Sequence, residues 1–479
     1  MRLKLRPGAK PAPAAPTIGW RRTRRRLCQW PLCGGLLALG AAAVAQTPEP
    51  VGALGTARLA LLMGNQIYPP PHDLPPVHKN VRDLDAALKK RGFDVSASID
   101  VDAAGARRAL DAFNRKVLAA PPDAVVLFYF TGHGLQLDAQ NLLVGAGVNP
   151  QSSADVLSRG SIVLGSDVVR YLPQRPAGLT MAVVDACRTS LRAVNAATDG
   201  LNQVEAPPGC LIVFSTAAGR PAIAPAVETQ NTFYTGSLVK VLQASDDEVS
   251  FSDLFRIVKA DVQETMQKHP LEPIRRVAQI PFIAENTRIT VPLAPRRAAP
   301  DGGATASGSG LFASAAEQGE FRQIEQALWP PEIVMLAERF QQRFPSSRAA
   351  AGVEVTRRGA AEAAQILARD DIRLTRRSFD ARARPDADYR NDLAKAARGD
   401  KDAAARIGRL WRTGAATGPE VSRYENWMQF AAELGNGIAS YELALHYRAQ
   451  DLPLPAARWE ARSRELGYTP PPSLDNVRK

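Results

Sequence analysis

The sequence predicts an α/β protein, a mainly parallel sheet flanked by helices, followed by an α-helical repeat region. Three observations predict it. From Arg58 to about Thr290, short apolar runs alternate with amphipathic ones, the pattern of strands joined through crossover helices. A stretch rich in Pro, Gly, Ala and Ser then interrupts the pattern, and the chain beyond it is alanine-rich and repeats glycines at helix-pair spacing. The 479 residues, 45% hydrophobic and 23% charged, suffice for two or three globular units of about 100–200 residues each.

Residues 1–45 read as a secretory signal, with "RRTRRR" at Arg21–Arg26, an apolar run Leu32–Val44 and the small-residue end "AVA" before Gln46. An apolar run of about 13 residues is short of the roughly 20 that span a bilayer, so export is expected, to the periplasm or outside, with no stable membrane span. The segment carries nine basic and no acidic residues; without it the formal charge falls from +12 to 51 basic against 48 acidic. That balance argues against a nucleic-acid surface.

The first strand is "RLALLMG" from Arg58, and "NVRDLDAALKKRG", Asn80–Gly92, is a helix closed by glycine. "FDVSASI" is the second strand, and a helix follows near Ala104–Leu118. "AVVLFYFTGHG", Ala124–Gly134, is a buried strand expected to stop at "TGHG", with its histidine between two glycines. "TMAVVDACR" from Thr180 and "CLIVFSTAAG" from Cys210 are two more buried runs, and helices follow around Thr232–Leu242 and Phe251–Lys268. These elements place one domain at 58–290. Residues 291–310, with "PLAPRRAAPDGGATASGSG" from Pro292, bury little and read as a flexible linker. Residues 311–479 are helical; Gly399, Gly435 and Gly467, spaced 36 and 32 residues apart, mark short tetratricopeptide-like units, clearest over 394–470. In these units Leu410, Trp411, Leu445 and Tyr447 are expected to supply core bulk, and the paired helices suit a protein partner.

Reactive groups in an open α/β sheet gather beyond the carboxyl ends of its strands, and two such ends carry His133 and Cys187. A thiol and an imidazole on neighbouring strands suit nucleophilic attack on a carbonyl, and glycines beside the histidine clear an approach for substrate. The amides of Gly134 and Cys187 are expected to form an oxyanion site. After removal of the signal, Cys187 and Cys210 remain; Cys210 opens an apolar strand and reads as core, with a bridge to Cys187 the alternative. His72, His78, His269 and His446 lack metal-ligand spacing and read as structural or exposed, and no metal or other cofactor is assigned.

The run ending in "TGHG", with the cysteine of "DACR" 54 residues beyond its histidine, resembles the caspase-like cysteine peptidases, more closely their bacterial and metacaspase relatives. "VRDLDAALKKRGFDV" and "LIVFSTAAGRPA" extend the similarity across Arg58–Thr290. The resemblance implies hydrolysis of protein or peptide substrates through a thioacyl-enzyme, with Cys187 as nucleophile and His133 as general acid and base. It also implies a substrate pocket lined by Asp83, Thr131 and Asp185. Two carboxylates there would favour cleavage after Arg or Lys, although Arg82 stands where relatives carry asparagine beside that helix aspartate. Some metacaspase relatives depend on calcium, but no ligand cluster here is distinct enough to assign. The other reading is a catalytically inactive caspase-fold scaffold that binds partner proteins through its helical repeats.

Overall fold

The computed structural model describes residues 57–175, 177–188, 201–218, 222–277, 279–294, 312–384, 386–412 and 419–471. The expected signal segment 1–45 lies outside the described residues. In chain order the first part comprises β1 (Arg58–Gly64), α1 (Val77–Lys90), β2 (Asp94–Ile99), α2 (Ala103–Ala119), β3 (Val125–Leu137), β4 (Gln140–Val144), α3 (Ala154–Arg159), β5 (Ser161–Val163), β6 (Leu179–Arg188), β7 (Cys210–Phe214), α4 (Phe233–Ala244), α5 (Phe251–Gln267), α6 (Glu272–Val277) and β8 (Phe282–Asn286). The sheet order is β2-β1-β3-β6-β7-β8, parallel except for β8, while β4 and β5 extend it antiparallel from the far end of β3.

Side chains alternate across the central strands and build two apolar layers. Leu127, Tyr129, Met181 and Val183 face α1, α4 and α5 through Leu84, Leu88, Leu238 and Val258. Val126, Phe128, Ala182 and Val184 face α2 through Leu110, Phe113 and Val117. Helix α1 closes as its sequence predicts: Gly92 adopts φ 79°, its N–H donates to Lys89 O at 3.0 Å, and the Phe93 N–H donates to Leu88 O at 3.1 Å.

Two expectations need correction. β3 does not stop at "TGHG" but runs through it to Leu137, turning into β4 through Asp138 and Ala139, both in the left-handed region at φ 47° and 64°. The extra residues are held because Gly134 to Leu137 pair with Leu143 to Gln140 while Gly132 to Gly134 continue alongside β6. The expected linker also begins too early: Leu293 is fully buried, and its N–H donates to Val249 O at 2.8 Å. An apolar side chain with a ready cavity stays with the domain; residues 295–310 lie outside the described residues.

The second part is α7 (Ala315–Gln326), α8 (Pro330–Arg343), α9 (Ala350–Leu367), α10 (Ala387–Ala396), α11 (Lys401–Leu410), α12 (Pro419–Glu433), α13 (Gly437–Ala449) and α14 (Pro453–Glu465). Gly399, Gly435 and Gly467 follow α10, α12 and α14, each at positive φ and each with the same pair of closing bonds, such as Gly435 N–H to Ala432 O and Asn436 N–H to Ala431 O, both 3.0 Å. Asp400 and Asn436 then cap the next helices, accepting from Ala403 N at 3.0 Å and Ala439 N at 2.8 Å. Small buried alanines, Ala396, Ala404, Ala431 and Ala444, let these helices approach closely. The expected bulk is partly corrected. Leu410 and Leu445 are 44% and 43% exposed, Trp411 and Tyr447 pack at the edge, and Tyr389, Trp427 and Phe430 fill the centre.

The two parts join along the outer edge of β8. Lys401 Nζ donates to Ile283 O at 2.8 Å, Glu285 N–H to Asp402 Oδ2 at 3.1 Å, and Arg406 Nη1 to Glu285 O at 2.8 Å. Side chains of α11 thus occupy backbone groups that another strand would otherwise pair with.

Candidate active site

β3 and β6 run side by side in parallel, and their register aligns Thr131 with Asp185, His133 with Cys187 and Gly134 with Arg188. Neighbouring strands lie about 4.8 Å apart, so the backbones carrying the imidazole and the thiol are adjacent. The Cys187 side chain lies outside what is described.

His133 is 5% exposed and fixed from two sides. Its Nε2 lies 2.7 Å from the carbonyl oxygen of His72. A carbonyl only accepts, so Nε2 carries the hydrogen and Nδ1 of the neutral ring keeps its lone pair. Burial pushes the imidazole below its ordinary value of 6.5, against the upward pull of the His72 carbonyl. The backbone N–H of His133 donates to the Tyr68 hydroxyl at 3.1 Å, and that hydroxyl donates to Val144 O at 3.2 Å. The Tyr68 ring stands edge-on to the imidazole with centroids 4.5 Å apart.

The flanking glycines answer to packing. A Cβ at Gly132 would lie 2.8 Å from the Tyr68 hydroxyl, and one at Gly134 would lie 2.8 Å from Ala186 Cβ. Both distances are shorter than side-chain carbons tolerate, so these glycines let Tyr68 reach its place and β3 lie close to β6.

Below the pair sits a buried polar cluster. Asp185 accepts from the hydroxyls of Thr232 and Thr235. Asn80, fully buried on α1, donates to Thr131 Oγ1 at 3.2 Å and Thr232 Oγ1 at 3.1 Å, and its oxygen accepts from Thr232 N at 3.1 Å. Thr232 also caps α4. Burial pushes the Asp185 carboxyl up from 3.8, while the hydroxyls of Thr232 and Thr235 pull it down, and among the described residues it forms no salt bridge. Among the expected pocket residues, Thr131 and Asp185 come together and Asp83 does not join them. The Asp83 carboxylate is met by Lys79 at 2.6 Å and by Arg82 at 3.8 Å. The reason is helical phase: Asn80, one turn earlier, takes the inward position.

Asn80, Thr232, Thr235, Tyr68 and the His72 carbonyl escaped the sequence reading. Only Thr232 carried a signal, a capping residue just before an apolar helical run. Cys210 is a free, buried thiol pushed up to about 11 by burial. It pairs in register with Thr180, seven residues before Cys187 on β6, hence about 23 Å away along the strand, far beyond disulfide reach. The other histidines have structural partners, His78 on Asp100 at 2.6 Å and His446 on Glu425 at 2.8 Å. Among the described residues no group of three or more His, Cys, Asp or Glu is arranged to hold a metal ion, and no helix is long and apolar enough to cross a membrane.

Comparison with known proteins bears on residues 57–290, which match the family described as Caspase domain, Peptidase C14. No curated protein matches the chain. Among solved structures, caspase-1 from Spodoptera frugiperda is similar at 14% identity, covering 51% of this chain and 93% of that one with a TM-score of 0.38. With the parallel sheet, its flanking helices and the family match over the same span, residues 57–290 are a caspase-like domain.

Proposed function

We propose that this chain is an exported cysteine endopeptidase, acting in the periplasm or outside the cell, with Cys187 and His133 as its dyad and with a preference for Arg or Lys before the scissile bond. The carrying observation is the alignment of His133 with Cys187 across β3 and β6, with the imidazole held in its Nε2–H tautomer by the His72 carbonyl. In that tautomer Nδ1 is the ring's basic nitrogen, the one that takes the thiol proton. The Cys187 sulfur attacks the peptide carbonyl, the amides of Gly134 and Cys187 receive the oxyanion, and His133 passes the proton to the departing amine. Water then hydrolyses the thioester with His133 as base.

The specificity rests on Asp185, a buried carboxylate bonded to hydroxyls and matched by no cation of the described residues. A guanidinium or ammonium from substrate, seated beside Thr131, would supply the missing charge. Asp83, already held by Lys79 and Arg82, is left out of this pocket.

The test is cleavage of fluorogenic peptides ending in Arg, Lys or Asp by chain starting at Gln46, with reductant, with and without calcium, beside Cys187→Ala. Arg or Lys cleavage lost in Cys187→Ala is expected. Cleavage only after Asp overturns the specificity, and no cleavage of any peptide overturns the peptidase reading. A binding role for the helical repeats is the second reading, favoured by the exposed Leu445, Leu452 and Leu454; capture of a peptide partner by full-length Cys187→Ala, lost on Leu454→Glu, would support it.

A further inference from the structure

The end of the helical region is bonded to the segment that follows the Cys187 strand, more than 230 residues away in sequence. Asn202 is 5% exposed and uses every polar group it has. Its backbone N–H donates to Asn141 Oδ1 at 2.6 Å, and its carbonyl accepts from Asn141 Nδ2 at 3.0 Å. Its side-chain amide donates to Ala139 O at 3.2 Å and to Thr469 O at 2.8 Å, and its Oδ1 accepts from Thr469 N at 2.9 Å. Gln203 repeats the pattern, accepting from Gly437 N at 2.8 Å and donating to Leu466 O at 2.8 Å and Gly435 O at 3.3 Å.

These contacts reach the stretch of β3 that carries His133. Asn141 pairs in register with Gln136, three residues beyond His133 on β3. Leu201, 1% exposed, has its methyls 3.5 Å from where a Gly134 Cβ would stand. Gly467, at φ 76°, packs its backbone against Ala218 in the loop after β7, where a Cβ would come within 2.5 Å. Leu466–Thr469, just after α14, and the α12–α13 junction therefore bond the segment after β6, reach the β3–β4 hairpin through Asn202 and pack against the loop after β7, all at the carboxyl end of the sheet.

We propose that Asn202 and Gln203 are positioning residues through which the α12–α13 junction and the residues after α14 fix the carboxyl-terminal stretches of β3 and β6 that bear His133 and Cys187. The proposal rests on the peptidase reading for its catalytic meaning. Side-chain amides satisfied by backbone groups at both ends transmit position stiffly, because any displacement breaks several buried bonds together. Misplacement of a dyad by about 1 Å suffices to cost orders of magnitude in turnover.

The experiment uses the chain from Gln46, with Asn202→Ala, Gln203→Ala and Gly467→Val as three separate routes to the same disturbance. Lys395→Met serves as the control. It loosens the same two parts at the β8 edge, where Lys395 Nζ meets Glu285 at 2.7 Å. Three readouts are taken: kcat and KM on an Arg-ending fluorogenic peptide, the pH profile of iodoacetamide alkylation at Cys187 by peptide mass, and the thermal midpoint. Buried Cys210 serves as the internal reference for folding.

Expected are a kcat lowered about tenfold or more with KM within about threefold, and a slower, pH-shifted alkylation of Cys187, in each variant that unfolds in one transition. Lys395→Met is expected to lower the thermal midpoint alone. Parent-like alkylation profiles in the folded variants, or equal losses in Lys395→Met, overturn the proposal. A parent that cleaves nothing while the variants still shift Cys187 alkylation sinks the peptidase reading and leaves the positioning role standing.

Discussion

The two halves of β3 are equally hidden and differently made. Val125, Phe128 and Tyr129 in the first half are 0% exposed; Thr131, His133 and Gln136 in the second are 1%, 5% and 3% exposed. On β6 the same change comes between Val184 at 1% and Asp185 at 4%. Apart from the Tyr129 hydroxyl, bonded to Thr235 Oγ1 at 2.6 Å, the first half asks its neighbours only for volume, since apolar contact has no direction. The second asks for donors and acceptors in fixed places, and a buried polar group left without one costs the protein several times what an ordinary hydrogen bond contributes. Burial alone therefore does not separate core from candidate site. The kind of substitution each half tolerates does.

The largest effect is expected in the apolar half. Phe128→Ala empties a fully buried ring site and should destabilise by about 3–5 kcal/mol in urea unfolding, while turnover per folded molecule stays near that of the parent. Turnover lost with stability kept would break the distinction. Next comes Gly134→Ala, which drives a methyl into Ala186 at the His133–Cys187 level. Overpacking there should cost about 1–3 kcal/mol, and peptide cleavage should fall far more than that loss of folded protein explains. Smaller still is Thr232→Val, nearly unchanged in shape. It removes the hydroxyl shared by Asn80, Asp185 and the cap of α4, for about 1–2 kcal/mol. A shape-conserving change in the first half should cost less, and equal costs measured side by side would erase the contrast.

The apolar half was legible because its signal is local: "VVLFYF" reads as a buried strand from its own residues. Its continuation was not, since "TGHGLQL" mixes glycine and polar residues and is held as strand by β4 and β6. The Asp138–Ala139 turn between β3 and β4 lacks the Asn-Gly or Asp-Gly pair that announces such hairpins. The helix-closing glycines of the second part were legible by spacing alone, whereas Leu410 and Leu445 were misplaced because spacing does not fix which face of a helix turns inward. Asp83 and Asn80 carry the same lesson. Both lie on α1 one turn apart, the family resemblance pointed to the carboxylate as the pocket residue, and the helix turned the amide inward.

Asp185→Asn gives the smallest stability effect at acid pH and the sharpest test of the polar half. Burial raises the folded carboxyl above 3.8, its ordinary value. Its contribution to stability is therefore fully present below that value and is lost as pH rises through the raised folded one. Asparagine has no such term. Urea midpoints of parent and variant should nearly coincide at about pH 4, and the variant should gain on the parent toward pH 8, at up to about 1.4 kcal/mol per pH unit within the window. A difference that stays flat with pH, or moves in the parent's favour, would show that Asp185 ionises without cost and has no need of a cation. With the expected slope, the ionised carboxylate opposes folding at neutral pH, and a bound Arg or Lys side chain is the group that offsets it. The same variant should then be the more stable protein and the poorer enzyme toward basic peptides.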